Sequence, residues 1–197
     1  MKSITNNEMK FVLIIFKSPE TEYNSNSIAK SLGITSMGAL KIAKKLEKGG
    51  IINFKEMGKA KFYRLNLEND HVRQYIKFLL QKESREASSF LKAKFKDIKK
   101  IKNAYASILF GSVLTKEDKS NDIDLFLITD QKRFSKLKKE IEYLNLINIK
   151  KYHPLYQAID DVKKNIKEND KVIFNAIKGI IVFGEDIIID LLKNDTL

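Results

Sequence analysis

The chain has 197 residues and a net charge of +12 at pH 7, from 37 Lys and Arg against 25 Asp and Glu. It has no cysteine and only two histidines, His71 and His153. That excludes disulfides, thiolate zinc centres and cysteine nucleophiles, and leaves any metal to oxygen ligands, which suits magnesium or manganese. The charge is uneven: residues 1–100 hold 21 basic and 10 acidic side chains, a net +11, whereas residues 101–197 hold 16 and 15, a net +1. A basic first half fits a polyanionic partner, or a lysine-rich solvated surface. The longest apolar run, Phe11–Phe16, is too short for a bilayer span or a secretory core. The chain therefore reads as intracellular and cytoplasmic, with no membrane partner.

Apolar spacing over Glu8–Phe16 predicts a first helix, ended by Pro19. "YNSNSIAKSLGITSMGALKIAKKLEKGGII" follows. It predicts one helix capped by Ser25 or Asn26 and running to Leu32, a left-handed turn at Gly33, and a second helix capped by Thr35 or Ser36 and running to Lys48. Ile28, Leu32, Ile34, Ala39, Ile42, Ala43 and Leu46 share the core side. Two strand-like runs, Ile51–Phe54 and Lys61–Leu65, flank Gly58 and predict a hairpin.

This order, with "IAKSLGIT" and "KKLEKGGII" as its best-matching parts, resembles a prokaryotic winged helix-turn-helix over residues 1–67. The resemblance implies a double-stranded DNA partner. Helix 36–48 would enter a major groove with Ser36, Met37, Lys41, Lys44 and Lys45, and Lys59 and Lys61 would put the wing on phosphates. That helix has no Arg, Asn or Gln, the usual bidentate readers of bases. The same fold also serves protein contacts.

Residues 68–100 carry Val72, Ile76, Leu79 and Leu80, then Phe90, Leu91, Phe95 and Ile98, at helical spacing. They predict a helical connector, bent or broken near Ser84–Ser89. Its apolar face would pack on its own chain or serve a homodimer.

"FGSVLTKEDKSNDIDLFLI" begins at Phe110. "YASILF" before Gly111 and "DIDLFLI" at its end are strand-like, with a turn-rich stretch between. Residues two apart on a strand share a face with Cα atoms roughly 7 Å apart. Asp122 and Asp124 then project together, while Ile123, Leu125 and Leu127 enter the core. Two such carboxylates repel each other, and a divalent cation relieves that. Gly111 permits close backbone approach by a phosphate, and Ser112 would cap the next helix and offer a hydroxyl to a terminal phosphate. The alternative is a pair of surface aspartates at a strand edge.

Apolar-Gly-Ser, nine residues, then Asp-apolar-Asp-apolar resembles the signature of the DNA polymerase β-like nucleotidyltransferases, most of all the minimal ones. Over residues 101–197 the resemblance implies a mixed sheet with flanking helices. It also implies Gly111 and Ser112 on a nucleoside triphosphate, and Asp122 and Asp124 as metal-binding, catalytic carboxylates for Mg²⁺ or Mn²⁺. "IIVFGEDII", from Ile180, is similar to the strand and Gly-Glu turn that close such domains. The family's third carboxylate is missing: "INIKKYHPLYQAI" has no Asp or Glu. Asp160 and Asp161 suit the start of the next helix, and His153 is only a candidate substitute, weaker than the missing carboxylate.

The expected class is α+β. The expected activity is transfer of a nucleoside monophosphate from NTP to a hydroxyl on a nucleic acid or a protein acceptor such as a partner toxin. The alternative is a transcription regulator whose second domain is a weak or inactive nucleotidyltransferase, serving as nucleotide sensor or dimerisation module.

Overall fold

The structure, a computed structural model, describes residues 4–58 and 60–193. Lys59, expected on the wing, therefore lies outside the described residues. The chain divides into two compact units, Met1–Leu79 with Leu192–Leu197, and Leu80–Leu191. Residues 68–100, expected as a connector, are shared between them.

The first unit begins with α1 (Asn6–Lys17), α2 (Ser25–Leu32) and α3 (Ser36–Lys48). A capping box starts α1: Glu8 N–H donates to Thr5 Oγ1 at 3.3 Å, and Thr5 N–H to Glu8 Oε2 at 3.0 Å. The cap of α2 is Asn24, not Ser25 or Asn26. Its Oδ1 accepts from the N–H groups of Asn26 and Ser27, and the Ser27 hydroxyl accepts from Asn24 N–H. Gly33 takes φ +65° and turns the chain into α3, which Thr35 caps through Gly38 N–H at 3.1 Å. β1 (Ile52–Met57) and β2 (Ala60–Leu65) then pair antiparallel. Phe11, Val12, Ile28, Ala39, Ala43, Leu46, Ile52 and Tyr63 are buried in the core of this unit.

α4 (Asp70–Glu86) is followed by α5 (Ser89–Ile98). The break falls where the serines compete for helix: Ser88 Oγ accepts Leu91 N–H and starts α5 anew. Leu91, Phe95 and Ile98 on α5 belong to the core of the second unit.

That unit is built on a four-stranded mixed sheet in the order β5 (Tyr152–Gln157), β4 (Ile123–Ile128), β3 (Ala106–Phe110), β6 (Ile180–Phe183). β3 runs antiparallel to β4 and to β6, and β4 parallel to β5. The short α6 (Val113–Lys116) follows β3, α7 (Gln131–Ile147) follows β4, and α8 (Ile159–Lys167) and α9 (Lys171–Ile177) lie between β5 and β6. The last helix is α10 (Glu185–Lys193). One face of the sheet, with Ile123, Leu125 and Leu127, packs against Leu91, Phe95 and Ile98 of α5 and Leu137, Ile141 and Leu144 of α7. Gly179 leaves room at the sheet edge, where a Cβ would run into the Leu109 carbonyl. α8 begins at Ala158 with no side-chain cap; Asp160 and Asp161 stand in its first turn, where carboxylates favour the positive end of the helix dipole.

Divided by unit rather than at residue 100, the charge is less uneven. Leu80–Leu191 holds 22 basic and 17 acidic residues, a net +5, and the other unit the remaining +7. The lysine-rich stretch around α5 belongs to the second unit.

Candidate functional site

On α3, Ala39, Ala43 and Leu46 are buried, while Ser36, Met37, Lys41, Lys44 and Lys45 are exposed, Met37 to 61%. The apolar stripe thus leaves one polar, basic side free. Lys45, one of the expected DNA contacts, also has a partner inside the unit. Its Nζ lies 2.7 Å from Oε1 of Glu8, which is only 5% exposed. Since Glu8 Oε2 already accepts Thr5 N–H, both carboxylate oxygens are satisfied within the unit. Lys45 is therefore a structural cation that ties α3 to α1. On the wing, Lys61 Nζ stands 3.5 Å from the centre of the Phe54 ring and 3.8 Å from Glu56 Oε1, its cross-strand partner.

Tyr75 belongs to the same neighbourhood. Among the described residues, its buried hydroxyl has no hydrogen-bond partner. Burial first, and the negative charge of Glu8 second, push its phenol up to about 12.

In the second unit, Gly111 ends β3 with φ +80°. A Cβ built on it would collide with Asp124 Oδ2, and Asp124 Cγ would stand only 3.0 Å away. The Asp124 carboxylate therefore lies against the glycine, in a space that a side chain would fill. Asp124 is the cross-strand partner of Phe110. Asp122 falls one residue before β4 rather than within it. Ile123, between the two aspartates, is fully buried in the core, so Asp122 and Asp124 emerge on the other side of the sheet.

Ser112 precedes α6, but its side chain makes no cap hydrogen bond. The expected capping role is not taken up. Four residues of helix give that hydroxyl little to cap, and the Ser112 carbonyl instead accepts Lys116 N–H at 2.8 Å.

β5 contributes His153, which is in register with Asp124 on the parallel neighbour strand. Its Nε2 lies 3.6 Å from Asp122 Oδ1, with both side chains about half exposed. Among the described residues, no three His, Asp or Glu groups gather closely enough to form a complete metal cage.

Lys150 is a residue that local sequence patterning misses. Its ammonium donates to the carbonyls of Asp118 and Ser120, in the loop leading to Asp122. Asn145 holds the start of β5 in a similar way: its Oδ1 accepts Tyr152 N–H at 2.7 Å and its Nδ2 donates to the Tyr152 carbonyl at 3.1 Å. Both contacts join side chain to backbone across elements, and no spacing rule announces them.

No protein-family model matches the chain, and no curated protein matches it by sequence. Several solved structures are similar over part of it. AF1382 from Archaeoglobus fulgidus is 14% identical over 43% of this chain and 93% of its own, with a TM-score of 0.38. MepR, a transcription regulator of the Staphylococcus aureus multidrug efflux pump MepA, is 17% identical over 50% of this chain and 76% of its own, at 0.36. The homodimeric winged helix-turn-helix DNA-binding domain of Mb0332 from Mycobacterium bovis, a possible ArsR-family regulator, is 17% identical over 42% and 72%, at 0.34. Among the described residues, no helix is long and apolar enough to cross a membrane.

Proposed function

We propose that the protein is a DNA-binding transcription regulator whose second unit holds a magnesium-bound nucleoside triphosphate. The observation that carries the first part is the division of α3: Ala39, Ala43 and Leu46 are buried, and Ser36, Met37, Lys41 and Lys44 are free. A helix of this kind, with a hairpin beside it, suits a major groove with lysines on the flanking phosphates. The absence of Arg, Asn and Gln from α3 favours readout through DNA shape over direct base contacts.

The second part is supported by the Asp124 carboxylate lying against Gly111 and by Asp122 emerging on the same side of the sheet. Gly111 and Ser112 would receive the phosphates, and Asp122 and Asp124 would hold Mg²⁺ or Mn²⁺. When bound, the cation neutralises charge on the phosphates.

Two titrations test the proposal. Duplex DNA should bind with an affinity that falls steeply with salt, because lysines displace condensed counterions. ATP, GTP, CTP and UTP should each be titrated calorimetrically with and without Mg²⁺, and at least one should bind only with the metal. Salt-insensitive or absent duplex binding would refute the first part, and metal-independent or absent nucleotide binding the second.

His153 favours a second reading, nucleotidyl transfer. It stands beside the aspartate pair on the neighbouring strand, where the family's third carboxylate is missing. In this reading an acceptor hydroxyl on a protein or nucleic acid attacks the α-phosphorus, its proton is released, and pyrophosphate leaves. Incorporation of α-labelled nucleotide into an acceptor would establish it.

A further inference from the structure

The α5 and α7 layer covers the sheet face opposite Asp122 and Asp124, and its outer surface is basic. Lys100 and Ile101, just after α5, form an open cleft with Lys139, Glu140, Tyr143 and Leu144 of α7. Tyr143 is 60% exposed at this cleft. Among the described residues Glu140 is the one acid lining it, and its charge is already used. Its carboxylate accepts the N–H groups of Lys102 and Asn103 and the Asn103 side-chain amide at 2.8–3.3 Å. Lys100 holds Asp97 at 2.8 Å. Lys102, Lys136 and Lys139 are exposed, and Lys136 lies one helical turn before Glu140.

We propose that this cleft binds single-stranded nucleic acid, with a base stacked on the Tyr143 ring and the backbone phosphates on Lys102, Lys136 and Lys139. An accessible aromatic ring in a cleft with ammonium groups, whose lining carboxylate is tied up by N–H donors, is the pairing such strands require. A duplex keeps its bases stacked inside and has no use for the ring. The surface belongs to the second unit, whereas α3 belongs to the first, and it lies across the sheet from Asp122 and Asp124. The exposed Leu146, Ile147 and Ile149 at the end of α7 set a competing partner, an anionic lipid surface, which the test separates.

The experiment uses the full chain with fluorescein-labelled oligo-dT and oligo-U of about twelve nucleotides, within the usual range for such surfaces. Anisotropy is read at several salt concentrations. Tyr143→Ala and Lys139→Glu should each weaken single-strand binding about tenfold and leave duplex binding unchanged, whereas Lys44→Glu should do the reverse. Unfolding midpoints equal to that of the parent chain would show that the folds are intact, as expected for exposed positions. Single-strand affinity that is absent in the parent chain, unchanged in both cleft variants, or lost only in Lys44→Glu would overturn the proposal. So would binding to phosphatidylserine vesicles that Leu146→Ser abolishes, in a protein that ignores both oligonucleotides.

Discussion

Lys45 on α3 and Glu8 on α1 form a 2.7 Å ion pair around a carboxylate that is only 5% exposed. The pair fixes the helix proposed to enter DNA against the first helix of the unit. A lysine that looks like a phosphate contact in the sequence thus has a folding role.

Replacing the two neighbouring lysines should separate these roles. Lys45→Ala leaves Glu8 buried without its cation and should destabilise the first unit by about 1–3 kcal/mol, the usual range for stranding a buried polar group. The low end is expected, because Lys45 is 43% exposed and solvent screens the pair. Lys44→Ala should shift stability by no more than about 0.5 kcal/mol, yet weaken duplex binding and reduce its salt slope by about 1. Urea unfolding with DNA anisotropy reads both; equal stability of the two variants would remove the structural role given to Lys45.

At Gly111, an alanine meets two obstacles, the left-handed backbone and the Asp124 carboxylate. Gly111→Ala should destabilise the second unit by about 1–3 kcal/mol and abolish metal-dependent nucleotide binding. Ser112→Ala, whose hydroxyl caps nothing, should unfold like the parent while losing nucleotide affinity. Calorimetric titration beside thermal unfolding distinguishes the two, and a Ser112 variant with full nucleotide affinity would take that residue out of the site.

The aspartates and the histidine should separate binding from turnover. Asp124→Asn keeps the shape against Gly111 but removes the charge, so Mg²⁺-dependent nucleotide binding should fall at least tenfold. His153→Ala should retain binding. If transfer occurs, its rate should drop about 10²–10⁴-fold in that variant, the range for losing a positioned proton acceptor. Transfer undiminished in Asp122→Ala and Asp124→Ala would place the chemistry elsewhere.

Tyr75 makes a prediction about alkaline pH. Its phenol is pushed from the ordinary 10.0 up to about 12, by burial and then by Glu8. A raised folded value means that the contribution is complete below pH 10 and is lost as pH rises through 12. Tyr75→Phe should flatten the fall in stability across that window. At pH 7 it should be neutral or slightly stabilising, because the hydroxyl it removes has no partner among the described residues. Urea midpoints between pH 8 and pH 12 would show the flattening; an unchanged alkaline slope would mean that this phenol does not titrate with unfolding.

Local rules carried much of the fold. Left-handed Gly33, the Thr35 cap, the hairpin around Gly58 and the alternation that sends Ile123 inward and the aspartates outward each depend on neighbours a few residues apart. Asn24 was missed as the cap of α2 because Asn24, Ser25 and Asn26 are all capping types, and only the Ser27 hydroxyl answering Asn24 N–H decides among them. The Glu8–Lys45 pair, the Lys150 contacts and the cleft at Tyr143 join residues brought together by the tertiary fold, so periodicity is silent on them. The basic excess of the first half shrinks for a related reason: the lysines around α5 precede residue 100 in the chain but fold with the second unit.

The Lys150 contacts imply an uneven tolerance to change during divergence. The ammonium holds the carbonyl oxygens of Asp118 and Ser120, and every amino acid supplies a carbonyl. Side chains at positions 118 and 119 are therefore free to drift, while the path of the loop toward Asp122 is kept in part by one lysine some thirty residues further on, beside the Ser120 hydroxyl on the Glu117 carbonyl. A lineage could rewrite the chemistry of this loop, and with it whatever the loop meets, without disturbing the aspartates behind it, provided that position 150 keeps its charge.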